Sequence, residues 1–333
     1  MTKRKTVAAE RRAALDRKKK EKRKEKKEKR SPPNSFDHEG VVSDGLKSIG
    51  FAGGYYHFYS CDSTNNILKK VSHYKIQREI QSCNLKLKSL LADDDISEDW
   101  FFQWLALGEL PFVITADKQT AGRGRQSNTW WTGQGSLALS ILLDAKQYGL
   151  KPQTSAQLSL AIGYAAMLAL RTITEETLTE ASTIAKPNIE IRWPNDVYVN
   201  DRKITGILIE MPNMHHLIIG VGVNTNNTAT DAPEEICQRI VTLSDVLGQK
   251  VDQDRYIFLL CKEIMEILNN FPSHLPQFIE KIEANLHQTG KIVNISNENE
   301  QISGKCLGLN PNGSLRVVTE TGEEKAVVSG VIV

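Results

Sequence analysis

The chain has no apolar run of the ~20 residues that a membrane-spanning helix needs, and its first thirty residues are too charged for a secretory signal. Cysteine is sparse: Cys61, Cys83, Cys237, Cys261 and Cys306 are odd in number, far apart and never in a Cys-x-x-Cys pair. That excludes a disulfide framework and a zinc knuckle and reads as reduced thiols in a cytosol. Histidine offers no ligand set either. His215 and His216 are adjacent, and adjacent side chains on a strand point to opposite faces. These gaps together lead us to expect a soluble, cytoplasmic protein with no membrane partner and no dedicated metal site.

Charge is present but unevenly spread. Of the 42 Lys and Arg, 16 fall in residues 1–30, against 5 of the 40 Asp and Glu, a balance of +11 there; the other 303 residues carry 26 basic and 35 acidic groups, a balance of −9. The near-neutral total of +2 therefore hides a basic arm on an acidic body. Residues 1–30 carry no apolar stripe and read as a solvated, disordered arm. They could bind polyanions without sequence specificity, through neutralised phosphates. Ser31-Pro32-Pro33-Asn34-Ser35 stops any helix, and Gly40, Gly45, Gly50 and Gly53 read as a linker, so that order is expected from Tyr55 and removal of residues 1–54 is expected to be harmless.

Beyond the linker, apolar patterning predicts strands at 55–60, 112–116, 137–143, 189–193, 197–199, 204–211 and 216–223. Helices are predicted from Asp62-Ser63-Thr64-Asn65 toward Leu91 and over 155–170, 242–247, 256–271 and 275–286. The class is α+β, a mixed or antiparallel sheet with flanking helices, placed on one side of it. After Gly290 come short strands and tight turns of SH3-like barrel size. The predicted division is 1–54 arm and linker, 55–287 main domain and 288–333 small barrel.

Four segments hold candidate chemistry. Gln119-Thr120-Ala121-Gly122-Arg123-Gly124-Arg125, followed by Trp130, sets two glycines and two arginines between two strands. Glycines let a backbone approach a ligand closely, and guanidinium forks suit carboxylate or phosphate. Alone, such a loop could equally be a solvated surface loop. Asp62-Ser63-Thr64-Asn65 supplies hydroxyls, an amide and free helix-start N–H groups, although by itself it is only a cap. Arg192-Trp193-Pro194-Asn195-Asp196, continued by Arg202-Lys203-Ile204-Thr205-Gly206-Ile207-Leu208-Ile209-Glu210, puts a cation, an amide and a carboxylate at a strand end, or simply makes a hairpin turn. Gly220-Val221-Gly222-Val223-Asn224 ends the next strand with another polar group.

In this order the four segments resemble the biotin protein ligase family over roughly residues 55–333. The resemblance implies a fold like that of class II aminoacyl-tRNA synthetases with an SH3-like C-terminal barrel. It implies an enzyme that joins biotin to Mg2+-ATP as biotinyl-5′-adenylate and passes biotin to a lysine of a biotin carboxyl carrier domain. By position, Ser63, Thr64, Asn65 and Gln119 would bind biotin; Gly122, Arg123, Gly124, Arg125 and Arg192 would hold its carboxylate; and Arg123, Trp130, Asn195, Lys203 and Asn224 would meet ATP and magnesium. Arg123, Arg125, Arg192 and Asp196 would carry the catalysis.

Two departures from the family pattern stand out. Arg192 replaces the usual lysine and cannot readily carry a proton, and Gln126-Ser127-Asn128-Thr129 replaces a second basic stretch. A homodimer is within the family's habits. The nearest rival is a lipoate or octanoyl ligase, and a second is a biotin-sensing transcriptional regulator, although residues 1–54 lack the apolar periodicity of a winged helix.

Overall fold

The structure, a computed structural model, describes residues 39–83, 106, 108–178, 182–297 and 300–332. The basic arm of residues 1–30 and the stretch expected to continue a helix toward Leu91 lie outside the described residues. Residues 37–333 form one compact unit.

The first element is α1 (Glu39–Ser48), in the segment read as a linker. Val42 and Leu46, one turn apart, are buried, as is Phe51 just beyond. Gly50 at φ 108° closes the helix, with its own N–H on Lys47 O and the Phe51 N–H on Leu46 O, each at 3.1 Å. This is a Schellman termination, in which glycine marks a helix end and an apolar residue follows it into the core. Order therefore begins before Tyr55.

The main sheet follows: β1 (Tyr55–Phe58), β2 (Phe112–Ala116), β3 (Leu137–Asp144), β4 (Ile189–Arg192), β5 (Asp196–Val199), β6 (Arg202–Glu210) and β7 (His216–Val223), in spatial order β1-β2-β3-β7-β6-β5-β4. Only β1 and β2 run parallel; the other neighbours are antiparallel. Register sorts the side chains into two faces. On one, Leu139, Ile141, Ile207, Ile219, Val221 and Val223 pack against α3 (Ser155–Thr177) and α6 (Gln253–Asn270) as the large core. Helix α3 is long and apolar enough to span a bilayer by composition alone, but its apolar residues from Leu158 to Ile173 are largely buried against the sheet. The second face carries α2 (Thr64–Cys83), whose Ile67, Leu68 and Val71 pack on Phe112, Ile114, Leu142 and Ile218. Helices thus lie on both faces, a correction to the one-sided expectation. The physical reason is that β2, β3 and β7 are apolar on both sides, as strands covered on both faces must be.

Short helices α4 (Glu234–Cys237) and α5 (Leu243–Leu247) and then α7 (Leu275–Glu283) complete this part. The C-terminal residues form β8 (Ile292–Ser296), β9 (Gln301–Leu309), β10 (Leu315–Thr319), β11 (Glu324–Val327) and β12 (Val331–Ile332), a five-stranded antiparallel sheet in the order β11-β10-β9-β8-β12. Among the described residues no pairing closes its two end strands into a ring. The small sheet is fastened by Trp193, whose indole N–H donates to Gly313 O (3.2 Å) while its backbone exchanges bonds with the Gln288 amide (3.2 and 3.0 Å). Trp193 is 2% exposed; within its motif it is a structural pin.

His216 gives a pH-dependent stability. Its ring is buried, with Nδ1 3.0 Å from Ser72 Oγ, which in turn accepts from Asn213 Nδ2 (2.6 Å). Burial, with Lys75 nearby, pushes its pKa down to about 4. The unfolded chain takes up this proton near pH 6.5 and the fold does not, so stability is full above pH 6.5 and falls as pH drops toward 4. The loss amounts to about 3 kcal/mol at 1.36 kcal/mol per pKa unit. His216→Gln should flatten melting temperature between pH 6.5 and 4 relative to the native chain; equal slopes would refute this assignment.

Candidate functional site

The second face of the sheet changes character where β3, β6 and β7 meet. Across the register, Ala138 faces Gly222, which faces Gly206, which faces Asp196, which faces Arg192; one step along, Ser140 faces Gly220, which faces Leu208. Three glycines, an alanine and a serine leave a trough where large side chains would otherwise stand. The space they leave is taken by the Trp130 ring over Gly222 and Gly206 and by the Asn65 amide over Gly220. A Cβ on Gly222 would come within 2.3 Å of the Trp130 ring, and one on Gly220 within 2.4 Å of the Asn65 amide.

One end of the trough is lined by neutral polar groups, with the Glu210 carboxylate bonded to the Asn65 amide. The Thr64 backbone N–H, one of the free donors at the start of α2, donates to Gln119 Oε1 (2.9 Å), and the Thr64 hydroxyl donates to the same oxygen (3.2 Å). Ser140 Oγ lies 2.7 Å from Thr64 Oγ1 and 2.6 Å from Asn65 Oδ1. Asp62 takes no part in this end; it accepts from the Ser63 N–H and the Asn66 amide. Ser63, Thr64 and Asn65 are all buried.

The Gly/Arg loop is itself a small hairpin. Trp130 N–H donates to Gly122 O (3.0 Å), Gly124 N–H to Asn128 O (2.8 Å), and Gln126 turns the chain at φ 55°. A Cβ on Gly122 would stand 2.3 Å from the Trp130 carbonyl oxygen, so Gly122 serves the close approach of the loop's own two arms. Trp130 is thereby laid over Gly206 and Gly222, with Lys203 Nζ 5.7 Å from its ring centre.

The cations divide into two kinds. Arg123 spends its fork on Glu210, at 3.1 and 2.8 Å, and Lys69 reaches the same carboxylate at 2.7 Å, as does the Asn65 amide at 2.8 Å. Burial would push the Glu210 carboxyl up, but the bonds from Lys69 and Asn65 and the charges of Lys69 and Arg123 outweigh it and hold it below the usual carboxylate range. Lys203 Nζ sits 2.8 Å from Asp196 Oδ1 without an aligned hydrogen bond, so that contact is ionic. Arg125 and Arg192, by contrast, meet neutral oxygens: Asn195 Oδ1 at 3.2 Å and Tyr198 Oη at 2.7 Å. Burial lowers the Arg125 pKa somewhat, against the pull of Asp196. Asn195 is fixed by donating to Ile207 O (2.8 Å), and buried Asn224 accepts from Asn227 (3.1 Å).

The structure brings the four predicted segments together and adds Glu210, Lys69, Ser140 and Tyr198, to which the sequence reading gave no role. Ser140 could have been found as the one polar residue inside Leu137–Leu143, and Lys69 as the residue one turn after Asn65. Glu210 ends the β6 motif, on the Gly206 face of the strand. Among the described residues no group of His, Cys, Asp and Glu could hold a metal ion by itself.

Residues 100–224 match the model of the biotin/lipoate A/B protein ligase family and residues 289–333 that of the biotin protein ligase C-terminal domain. The bifunctional ligase/repressor BirA of Bacillus subtilis is 31% identical over 221 residues, 64% of this chain and 63% of that protein. The biotin–[acetyl-CoA-carboxylase] ligase of Mycobacterium tuberculosis is 28% identical over 221 residues, 65% of this chain and 76% of its own length. Among solved structures, the biotin protein ligase of Aquifex aeolicus in complex with biotin and ATP superposes with a TM-score of 0.62 at 28% identity, over 84% of this chain and 97% of that one. The chain thus spans just under two thirds of the Bacillus protein, while nearly all of the Aquifex structure is matched by the mixed α+β fold described above.

Proposed function

Because the chain belongs to the biotin protein ligase family, we propose that it activates biotin with ATP and transfers it to one lysine of a biotin carboxyl carrier domain, such as that of acetyl-CoA carboxylase. The observation that carries this reading is the division of the trough. Its end lined by the neutral groups of Ser63, Thr64, Asn65, Gln119 and Ser140 suits the ureido ring of biotin. The stretch between, where the Trp130 ring lies over Gly206 and Gly222, suits the aliphatic chain. The far end, with Arg125, Arg192 and Lys203, suits a carboxylate meeting a polyphosphate.

In the first step a biotin carboxylate oxygen bonds to the α-phosphorus of ATP and the bond to pyrophosphate breaks. In the second the carrier lysine amine attacks the acyl carbon, AMP leaves with the bonding pair, and the amine proton passes to solvent. No covalent enzyme nucleophile is needed. The residues position the two anions, offset their charge and keep water from the mixed anhydride. Arg125 and Arg192 hold carboxylate and α-phosphate, Trp130 covers the adenylate, and Asn195, Lys203 and Asn224 meet the nucleotide. Arg123, held by Glu210, shapes the biotin end more than it binds charge. Asp196 orients Lys203 or the entering amine. The amide and carboxylate oxygens of Asn224 and Asp196 are hard donors suited to Mg2+ arriving with ATP, which would offset phosphate charge.

The same proposal takes the C-terminal sheet, residues 288–333, as an SH3-like barrel bordering the ATP and carrier sites, and residues 55–287 as a catalytic domain like that of class II synthetases. It also takes the setting to be cytoplasmic, with homodimerisation open to it. Biotin-dependent pyrophosphate release, then a biotinyl mass shift on an added carrier domain and none with lipoate, tests the reading; absence of both products from folded protein overturns it. Arg125→Gly should release free adenylate and label stray lysines about tenfold more, the scale of one lost charge-assisted bond of about 1.5–3 kcal/mol. Unchanged release and unchanged carrier selectivity would count against that role.

A further inference from the structure

The two arginines that the trough presents most differently are Arg123 and Arg192. Arg123 is neutralised by a carboxylate. Arg192 stands directly across the ladder from Asp196, yet that carboxylate is taken by Lys203. Its guanidinium is held instead by Tyr198, two residues along the same face of β5. Nη1 donates to the phenol oxygen at 2.7 Å and the guanidinium carbon lies 4.8 Å from the ring centre. Tyr198 is itself braced by the His287 ring at 5.3 Å, and His287 is tied to Asp201 at 2.8 Å.

A neutral acceptor has a consequence that a carboxylate would not. It fixes the guanidinium while leaving its charge uncancelled, and it uses one of five N–H donors, so a forked edge stays available. The phenol also stays neutral: burial raises the Tyr198 pKa in spite of Arg192 beside it. A ring face adds a second contact that a lone oxygen lacks.

We propose that Tyr198 is a positioning residue that holds the Arg192 guanidinium aimed along the trough, so that its free edge meets the biotin carboxylate and the α-phosphate in one orientation. This rests on the biotin ligase reading. Tyr198→Phe keeps the ring and removes the acceptor. In biotin-dependent exchange of pyrophosphate into ATP, it should lower kcat about tenfold with the KM for biotin within about twofold. The melting temperature should be unchanged. In an Arg192→Met background the same substitution should change kcat by less than about twofold, because nothing is left to position. An equal loss in both backgrounds, or no loss in either, overturns the proposal.

A second measurement does not depend on activity. Relaxation of the Arg192 side-chain Nε in 15N-labelled protein should report an ordered guanidinium in the native chain and a mobile one in Tyr198→Phe. The same order in both overturns the proposal even in an active enzyme. A native chain that exchanges no pyrophosphate defeats the ligase reading instead, and the Nε comparison still decides whether Tyr198 holds Arg192.

Discussion

A chain shortened to residues 37–333 is expected to melt within about 2 °C of the full-length protein, whereas one shortened to 55–333 should show no cooperative transition. The second cut removes Val42, Leu46 and Phe51, which are 5%, 0% and 0% exposed against the large core. Deleting a buried Leu or Phe side chain costs about 2–5 kcal/mol each, and three such losses rival the total stability of about 5–15 kcal/mol. The first cut leaves each of these residues in place. Differential scanning calorimetry of the three lengths checks both statements, and a 55–333 protein that melts like the parent would refute the second. Salt-sensitive retention on heparin should disappear with residues 1–36, since 16 of the chain's basic groups lie within residues 1–30.

This expectation departs from the sequence reading that residues 1–54 are dispensable, and the reason is physical. Four glycines spaced through a polar stretch have the composition of a linker. Composition cannot distinguish a glycine that loosens a chain from one whose left-handed φ ends a helix, as Gly50 does. The clue lay in the residues between: Val42 and Leu46 at helical spacing, then Phe51. Elsewhere the patterning was more legible. The strands Phe112–Ala116 and His216–Val223 fall where alternation and apolar runs put them. The site segments are legible as motifs, but their division of labour is not. Which arginine faces a carboxylate and which a phenol depends on register between strands far apart in sequence, and no local pattern encodes that.

Glu210→Ala should have the largest effect within the site. One carboxylate there accepts from Arg123, Lys69 and Asn65, so its removal leaves two cations facing each other and frees the Asn65 amide. The side chains of Arg123 and Lys69 keep 35% and 36% of their surface in water, which screens the repulsion and puts the stability cost at about 2 kcal/mol, below that of a fully buried broken pair. Binding should suffer more. Asn65 would lose one of the two bonds that aim it, and the Gly/Arg hairpin its anchor to β6. A rise of about a hundredfold in the KM for biotin is expected, with a smaller change in the KM for ATP. Isothermal titration with biotin and with ATP separates the two; equal weakening of both ligands would show that Glu210 holds up the fold and has no particular hold on the biotin end. Lys69→Met in the same background should recover part of the stability, because it removes half of the unbalanced charge.

The glycine floor under Trp130 and Asn65 ties the candidate site to the interior. Gly206 is followed by Ile207, and Val221 lies between Gly220 and Gly222; Ile207 and Val221 belong to the large core on the other side of the same strands. Only the strand backbone separates Trp130 and Asn65 from that core here. Trp130 and Asn65 rest on the peptide planes themselves, and whatever shifts those planes from below shifts these two side chains above. Volume changes at positions such as Ile207 or Val221 are thus expected to displace Trp130 and Asn65 as well as to cost stability. The freedom to vary the core beneath is accordingly limited by the placement of these two side chains as much as by folding.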